Sequence, residues 1–233
     1  MSKKELSNNP RHVAIILDGN RRFAKRLMLE PWKGHEYGQK KIEELIRYAK
    51  DFGIKKLTFY TLSSENLKSR PKNELNYLFK LFKDVFSSMN MEEIKENRIR
   101  FRFIGNLDLL PNDLKKECFR LEKETEKNNG LIVNIAIAYG GRQEIVEMVK
   151  KILKNKIKPS KVNEKTIEKN LYMKDEPDLI IRTGGEKRIS NFLPWQSAYS
   201  ELIFLDKMWP EFEKEDLAEC IEEFKKRKRN FGG

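Results

Sequence analysis

The sequence has very few of the residues that build a disulfide framework or a structural zinc site. Its 233 residues include two cysteines and two histidines, and Cys118 and Cys220 lie far apart without Cys-x-x-Cys spacing. A closed zinc site needs four such ligands, and disulfide-stabilised domains are much richer in cysteine. The shortage excludes both kinds of scaffold and favours the reducing environment of the cytosol.

Long apolar runs are also absent. No apolar stretch approaches the roughly 20 residues that span a bilayer. Residues 1–9 are polar and lack the apolar segment of a signal peptide, so they are expected to form a flexible leader. We therefore expect a soluble, cytoplasmic protein whose only membrane contact is peripheral, at the inner face of the membrane.

Two common nucleotide-binding motifs are missing as well. The chain contains neither Gly-x-x-x-x-Gly-Lys-Ser/Thr nor Gly-x-Gly-x-x-Gly, which argues against a nucleotide enzyme. No internal repeat or low-complexity block occurs.

Positive charge, by contrast, is abundant. The chain has 48 Lys+Arg against 36 Asp+Glu, a formal net charge of +12. Such an excess favours anionic partners: nucleic acid, phosphorylated metabolites or an acidic membrane surface. A basic nucleic-acid-binding protein is the main alternative from another class, but the aromatic residues lie mainly in apolar helices rather than on an exposed sheet. We therefore expect no nucleic-acid partner.

Apolar runs of strand length alternate with amphipathic segments of helix length. The predicted strands are residues 12–17, 57–62, 100–104, 131–136, 178–182 and 201–205, and the main helices are 34–52, 74–96, 111–128, 142–154, 163–170 and 210–230. This alternation predicts an α/β fold with a mainly parallel central sheet of about six strands, flanked by helices. The length suits a single domain over residues 1–233.

The first strand ends in an acidic turn, Asp18-Gly19-Asn20, followed by Arg21 and Arg22. A carboxylate that can hold a divalent cation, beside a helix N-terminus and two arginines, suits a diphosphate with magnesium. A structural turn with solvated arginines accounts for the pattern equally well.

Two further polar clusters follow later strands. Ser63-Ser64-Glu65-Asn66 stands at a strand end, where open α/β sheets place ligand groups. Arg182 and Arg188, with a glycine pair between them and Ser190 after them, have the composition of a diphosphate clamp, although a cationic surface loop would look similar. The broad apolar stripe of helix 74–96 indicates core packing, or else the wall of a lipid-holding cleft.

Together with Tyr139-Gly140-Gly141-Arg142 and the run from Asp178 to Glu186, these motifs make the chain resemble the cis-prenyltransferases over residues 10–233, especially bacterial enzymes that make undecaprenyl diphosphate. The resemblance implies repeated cis addition of isopentenyl diphosphate to farnesyl diphosphate. The product would be a long polyprenyl diphosphate of undecaprenyl length, the precursor of the lipid carrier in cell-wall (peptidoglycan) synthesis. A shorter product is the alternative. The trans-prenyltransferases use Asp-Asp-x-x-Asp, and this chain has no Asp-Asp pair.

The resemblance also implies residue roles. Asp18 corresponds to the central acid and Mg²⁺ ligand, Glu201 to a second Mg²⁺ ligand, and Asn66 to a catalytic position linked to proton acceptance. Because a neutral amide is a poor base, we interpret Asn66 as positioning the substrate while Asp18 or the released diphosphate takes the proton. The implied substrate-binding residues are Gly19, Asn20, Arg21, Arg22, Phe23, His35, Ser63, Ser64, Glu65, Leu67, Arg70, Arg182, Arg188, Ile189 and Ser190.

A homodimer is implied too, with the C-terminal residues 229–233 close to the isopentenyl diphosphate site. A hydrophobic tunnel for the growing chain is predicted from Leu78, Phe82, Val85, Phe86, Leu131 and Val133.

The chain departs from the family pattern in the turn region. Arg21 replaces a common glycine, Phe23 and Leu67 replace tryptophans, and Pro31 replaces a diphosphate-binding arginine. Arg21 and Lys33 are the candidates to supply that missing charge.

Overall fold

A computed structural model, which describes residues 8–227, contains six strands and nine α-helices, and one or more α-helices separate successive strands except β5 and β6. The strands are β1 (His12–Ile16), β2 (Lys56–Ser63), β3 (Arg100–Ile104), β4 (Ile132–Tyr139), β5 (Leu179–Arg182) and β6 (Glu201–Phe204). The helices are α1 (Asn20–Arg26), α2 (Gly34–Ala49), α3 (Ser64–Ser69), α4 (Lys72–Ser88), α5 (Met91–Glu96), α6 (Asn112–Thr125), α7 (Gly141–Lys154), α8 (Glu164–Asn170) and α9 (Lys214–Lys226). The predicted α/β fold is confirmed.

The six strands form one sheet in the order β3-β4-β2-β1-β5-β6, and all five strand pairings are parallel. From β1 the chain builds one side of the sheet through β2 and the other side through β5. The strand order therefore reverses between β1 and β5. In open parallel sheets, ligands bind beside such a reversal, at the carboxyl ends of the strands.

Apolar residues cover both faces of the sheet. Every residue of β1 is buried, as expected for a central strand with helices on both sides. The larger core cluster packs Phe59 of β2 against Trp209, Leu45 and the helices of one face. The smaller cluster, on the other face, centres on Tyr60, Tyr139 and Phe192.

The helix predicted over residues 74–96 is in fact two helices. Helix α4 ends at Ser88, and α5 begins at Met91. The Asn90 side chain accepts hydrogen bonds from the backbone N–H groups of Glu92 (3.1 Å) and Glu93 (3.3 Å). An asparagine that satisfies the free N–H groups of a new helix stabilises a helix start, so the apolar stripe is interrupted at this point.

Several predicted boundaries also differ from the structure. The last helix begins at Lys214 rather than at residue 210, because Trp209–Glu211 forms a short 3-10 turn before it. The expected leader over residues 1–9 does not extend to its last residue: Asn9 is buried, and its amide donates to the Phe52 carbonyl oxygen at 2.8 Å. Residues 1–7 and the predicted tail at residues 229–233 lie outside the described part of the chain.

Between residues 8 and 227, none of the helices combines the length and the apolar character that crossing a membrane requires.

Candidate active site

The Asp18 carboxylate stands just beyond the carboxyl end of β1, beside the strand-order reversal. Its Oδ1 accepts a hydrogen bond from the Gly19 N–H at 2.6 Å and one from Arg22 Nη2 at 3.2 Å, and its Oδ2 accepts one from Arg182 Nη2 at 2.9 Å. Gly19 has a φ of 105°, and a Cβ there would lie 2.8 Å from the Met208 Cβ. Only glycine fits this turn without strain, so the turn geometry fixes the direction of the carboxylate.

Arg182 joins this acid to the loop that follows β5. Its side chain is only 5% exposed, and its Nη1 donates to the Arg188 carbonyl oxygen and to Ser190 Oγ at 2.8 Å. Ser190 has a positive φ of 48°, in a backbone region that serine seldom adopts, and Asn191 follows with a φ of 63°. The buried guanidinium thus holds the loop in a strained shape, while Arg188 is exposed and bound to Glu186.

The serine cluster at the end of β2 lies beside this loop. Ser63 Oγ accepts the backbone N–H of Asn66 at 3.0 Å and so caps α3. Glu65 accepts hydrogen bonds from Ser64 Oγ at 3.2 Å and from Asn191 Nδ2 at 2.7 Å. Partial burial raises the pKa of Glu65, but these hydrogen bonds outweigh it, so the pKa lies below its usual value.

Asn191, which directly follows Ser190, was not among the predicted site residues. Besides binding Glu65, its Oδ1 accepts the backbone N–H of Arg142 at 2.9 Å, and its carbonyl oxygen accepts that of Gly141. Asn191 therefore ties the loop after β5 to the amino-terminal ends of α3 and α7 at the same edge of the sheet. The signal that could have found it is an asparagine directly after Ser190, since asparagine tolerates the left-handed conformation better than most residues.

Besides Arg182 and Arg188, a second group of cationic side chains surrounds His35. Arg70 Nη1 lies 3.2 Å from His35 Nε2 and donates to Glu74 Oε1 at 2.8 Å, and Arg21 Nε lies 3.7 Å from the same Glu74 oxygen. Burial, together with the positive charges of Arg70 and Arg21, lowers the pKa of His35 to about 3. His35 is therefore neutral near pH 7. The buried carboxylate of Glu74, which sequence reasoning missed, partners both arginines.

These charged groups surround the mouth of an apolar cavity of about 590 Å³. Asp18, Asn66, Arg70, Arg182 and Ser190 are at its polar end. Its interior is lined mainly by apolar side chains, among them Ile42, Ile46, Leu81, Phe82, Val85, Phe86, Met89, Phe101 and Ile135.

Two other cavities adjoin it. One, of about 400 Å³, shares Asp18 and Arg70 with the mouth and is otherwise lined by the turn residues, including Arg21, Arg22, Lys25 and Pro31. The other, of about 640 Å³, shares Val85, Met89 and Phe101 with the far end of the apolar cavity and extends to the amino ends of the strands. From the carboxyl ends of the strands towards their amino ends, the charged groups of the mouth therefore give way to the apolar walls of the two larger cavities.

The predicted tunnel residues fall into two groups. Phe82, Val85 and Phe86 line the apolar cavity, and Leu131 lines the cavity beyond it. Leu78 and Val133 do not line either cavity; both are fully buried in the core. From β4 it is Ile135 that reaches the cavity wall.

The structure does not bring Glu201 to Asp18 within this chain. Glu201 is the first residue of β6 and pairs with Leu179, whereas Arg182 pairs with Phe204. At about 3.3 Å per residue, Glu201 lies about 10 Å below the level of Arg182 along the sheet. Its carboxylate binds Arg227 Nη1 at 2.8 Å instead.

Five predicted substrate-binding residues line none of the three cavities: Phe23, Ser64, Leu67, Arg188 and Ile189. Phe23 contacts Tyr37, with the two rings tilted and their centroids 5.3 Å apart, and Leu67 and Ile189 pack against the two core clusters. Of the two candidates for the charge missing at position 31, Arg21 lines the turn cavity together with Pro31. Lys33 binds Glu36 at 2.9 Å.

The donor set for a divalent cation is small. Between residues 8 and 227, no three or more His, Cys, Asp or Glu side chains are grouped so that they could hold a metal ion. Asp18, with its side chain 30% exposed at the cavity mouth, offers one carboxylate. Magnesium is commonly held by one or two carboxylates, waters and substrate phosphates, so this site fits a magnesium ion that arrives with a diphosphate.

Comparison with known protein families gives one match over most of the chain. A family model described as "Putative undecaprenyl diphosphate synthase" matches residues 16–232.

Relatives of known name are similar over nearly the full length. A protein of Methanopyrus kandleri, named tritrans,polycis-undecaprenyl-diphosphate synthase (geranylgeranyl-diphosphate specific), is 46% identical over 230 residues, which are 96% of this chain and 84% of that protein. A protein of the same name from Thermococcus kodakarensis is 44% identical, covering all of this chain and 90% of its own length.

Solved structures agree with the fold. Lavandulyl diphosphate synthase from Lavandula x intermedia, in complex with dimethylallyl diphosphate, superposes with a TM-score of 0.92 at 34% identity, over 97% of this chain and all of that one. A "probable undecaprenyl diphosphate synthase" from Campylobacter jejuni superposes with a TM-score of 0.81 at 32% identity, over 96% and 99% of the two chains.

Proposed function

The chain belongs to the cis-prenyltransferase family, and on that premise we propose that it adds isopentenyl diphosphate repeatedly to geranylgeranyl diphosphate to make a polyprenyl diphosphate of undecaprenyl length. One observation carries the proposal: a mouth lined by Asp18, Arg70 and Arg182 opens into an apolar cavity. Such a site holds diphosphates at the surface and a hydrocarbon chain inside.

The two cationic groups suit two diphosphates. Arg21, Arg22 and Arg70 line the turn cavity, where the allylic diphosphate binds in this proposal, and Arg182 with Ser190 and Arg188 holds isopentenyl diphosphate. Two diphosphates repel one another, so cations on both sides are needed before the carbon atoms can approach. Asp18 lies between the two groups and links them through its bonds to Arg22 and Arg182.

The reaction joins the allylic carbon of the primer to the terminal alkene carbon of isopentenyl diphosphate. The bond to the primer diphosphate breaks, and the arginines stabilise the charge on this leaving group. A proton is then lost from the condensed product. The Asn66 side chain lines the mouth beside Asp18, and because an amide is a poor base, Asn66 orients the alkene while Asp18 or the released diphosphate accepts the proton.

Magnesium belongs to this proposal as a cofactor. Asp18 is the residue of this chain that would hold it, and the ion supplies charge neutralisation of the diphosphate oxygens. Glu201 would serve as the second ligand only if a metal lay at the other end of β6, where its carboxylate binds Arg227.

The choice of primer differs from the sequence-based expectation. Farnesyl diphosphate was expected from the resemblance, but the relatives from Methanopyrus kandleri and Thermococcus kodakarensis carry names that specify geranylgeranyl diphosphate. Their shared name supports the longer primer for this chain. The same names support an undecaprenyl product, and its use as a carrier of glycans is part of the proposal.

A homodimer is the proposed assembly. Helix α7 exposes Val146, Val149 and Leu153, the last by 70%. Their spacing places them on one face of the helix. An apolar face of this kind is what a second copy of the chain would cover.

The test is incubation of the purified full chain with labelled isopentenyl diphosphate, Mg²⁺ and either geranylgeranyl or farnesyl diphosphate, followed by sizing of the lipid product. We expect a magnesium-dependent polyprenyl product, formed faster with geranylgeranyl diphosphate. Faster elongation of farnesyl diphosphate would refute the primer assignment alone. Absence of lipid product with both primers would overturn the proposed function.

A further inference from the structure

Trp209 joins two parts of the candidate active site that are far apart in sequence. It lies in the short 3-10 turn that follows β6, is fully buried and was not among the predicted site residues. Its backbone N–H donates to the Asp18 carbonyl oxygen at 2.9 Å, and its indole Nε1–H donates to the Gly38 carbonyl oxygen of α2 at 2.7 Å. One residue therefore binds both the acidic turn before α1 and the helix α2.

The indole ring has a fixed position in the core. It stacks on Phe212, with ring centroids 5.3 Å apart, and contacts Phe59 of β2, with centroids 6.4 Å apart. A side chain packed between two aromatic rings at interior density cannot shift without a loss of contacts. The indole N–H is therefore a rigid support for α2.

Two glycines let α2 approach this support closely. A Cβ at position 38 would lie 2.8 Å from Trp209 Cδ1 and 2.2 Å from Asn20 Oδ1. One turn earlier, a Cβ on Gly34 would lie 1.9 Å from the Asn20 carbonyl oxygen. No larger residue fits at such distances, so the glycines place α2 directly against the start of α1 and against the indole ring.

The turn cavity lies beside the two elements that Trp209 joins. It is lined by Asp18, by the first residues of α1 and by His35 of α2. The width of this cavity therefore depends on the separation between the acidic turn and α2. Trp209 fixes that separation, because it donates one hydrogen bond to the turn and another to the part of α2 that carries His35.

We propose that Trp209 is a positioning residue for the allylic substrate: it sets the width of the turn cavity to that of a diphosphate. The inference rests on the proposed function, which supplies the identity of this substrate. Isopentenyl diphosphate is held in that proposal by Arg182, Arg188 and Ser190, and none of the described hydrogen bonds joins Trp209 to these residues. The two substrates should therefore respond differently to a change at Trp209.

The experiment measures, in the presence of Mg²⁺, equilibrium binding of the purified full chain to geranylgeranyl diphosphate alone and to isopentenyl diphosphate alone. Trp209→Phe keeps an aromatic ring and the backbone N–H but removes the indole donor. We expect its affinity for geranylgeranyl diphosphate to fall about fivefold, the size of one hydrogen bond. Its affinity for isopentenyl diphosphate should be unchanged. Trp195→Phe is the matched control, because Trp195 lines none of the three cavities and packs on a separate apolar cluster.

A second variant disturbs the same contact from the opposite side. Gly38→Ala places a methyl group against the indole ring and Asn20, which forces α2 away from them. We expect the same selective loss of affinity for geranylgeranyl diphosphate. In the double variant, the loss should be smaller than the product of the two single losses, because both substitutions act on one contact.

Selective weakening of geranylgeranyl diphosphate binding in Trp209→Phe and Gly38→Ala, with Trp195→Phe unchanged, supports the proposal. Unchanged binding in Trp209→Phe, equal weakening for both diphosphates, or a parent chain that does not bind geranylgeranyl diphosphate overturns it. Selective weakening in a chain that makes no polyprenyl product would refute the proposed function and leave this inference standing. Polyprenyl synthesis by a parent chain whose Trp209→Phe variant binds both substrates normally would do the reverse.

Discussion

Arg182 and Asp18, 164 residues apart in sequence, are joined at 2.9 Å across the ends of two neighbouring strands. The Arg182 side chain is almost fully buried, whereas that of Asp18 is partly exposed. Removing the partner of a buried charge costs about 3–5 kcal/mol. The pair thus holds two loops together and presents one carboxylate to the substrates.

Asp18→Ala should abolish polyprenyl synthesis, because it removes both the carboxylate at the mouth and the partner of Arg182. We expect turnover to fall at least about a thousandfold. Steady-state kinetics at saturating Mg²⁺ measures the effect. Asp18→Asn keeps an acceptor for Arg182 and so separates the loss of charge from the loss of folding stability. Turnover of Asp18→Ala close to that of the parent chain would refute the assignment of Asp18.

Product length should respond to the residues between the two larger cavities. Val85→Trp fills the passage, and we expect shorter lipid products with little change in the first condensation. Phe101→Ala widens the passage and should lengthen them. Chromatographic sizing of the lipids tests both variants, with the exposed Val162→Trp as a control. An unchanged length distribution in both variants would rule out the tunnel.

Arg21 should replace the arginine that is missing at position 31. Arg21→Gly is expected to raise KM for the allylic diphosphate about tenfold, the size of a lost hydrogen bond to a charged group. Adding Pro31→Arg to that variant should restore much of the loss. Lys33→Ala is the matched control, because Lys33 binds Glu36. A rise in KM for Lys33→Ala, with no rise for Arg21→Gly, would show that the charge comes from Lys33 instead.

The exposed face of α7 should hold the dimer together. Leu153→Asp places a charge on that face at its most exposed apolar residue, and we expect sedimentation analysis to show a shift from dimer to monomer at micromolar protein. Leu109→Asp, an exposed apolar residue at another site, should leave the dimer intact. A parent chain that is monomeric at all concentrations would contradict the proposal.

Stability should fall as the pH is lowered through the range where histidine titrates. Burial, opposed in part by the hydrogen bond to the Glu176 carbonyl, lowers the pKa of His12 to about 4, against 6.5 for an unperturbed histidine. The unfolded chain therefore takes up the proton first. The resulting stability is fully present above pH 6.5 and is lost at about 1.4 kcal/mol per pH unit down to about pH 4.

Urea unfolding at several pH values measures this dependence. The lowered pKa of His35 acts in the same direction. In the His12→Asn variant, the slope of the free energy of unfolding against pH should correspond to one proton fewer. An unchanged slope would show that His12 is not the source of this pH dependence.

The sheet was predictable because its strands are short apolar runs between polar turns, and because alternation with helices leaves little choice but parallel pairing. The joint between α4 and α5 was not predicted, although Asn90 followed by Glu92 and Glu93 is a helix-start signal. The apolar periodicity continues across the joint, and it concealed a break that depends on a single side chain.

The site was predictable where polar residues end strands, as at Asp18, Ser63 and Arg182. Glu201 differs because it begins its strand, and a parallel sheet places strand beginnings at the opposite edge. The left-handed Ser190 could not be foreseen, since its conformation depends on the contact with Arg182 from a neighbouring strand. Likewise, Glu74 pairs with Arg70 four residues before it, but its second partner, Arg21, lies more than fifty residues earlier in the chain.

The joint at Met89 and Asn90 lies at the amino ends of the strands, far from the bond-forming groups at their carboxyl ends. In the proposed function, carbon–carbon bonds form at one edge of the sheet, and the cavity at the other edge limits how many of them form. Substitution of a few residues around the joint between α4 and α5 can therefore change the product length without altering the catalytic residues. The same catalytic groups at the carboxyl ends of the strands can thus make lipids of different lengths.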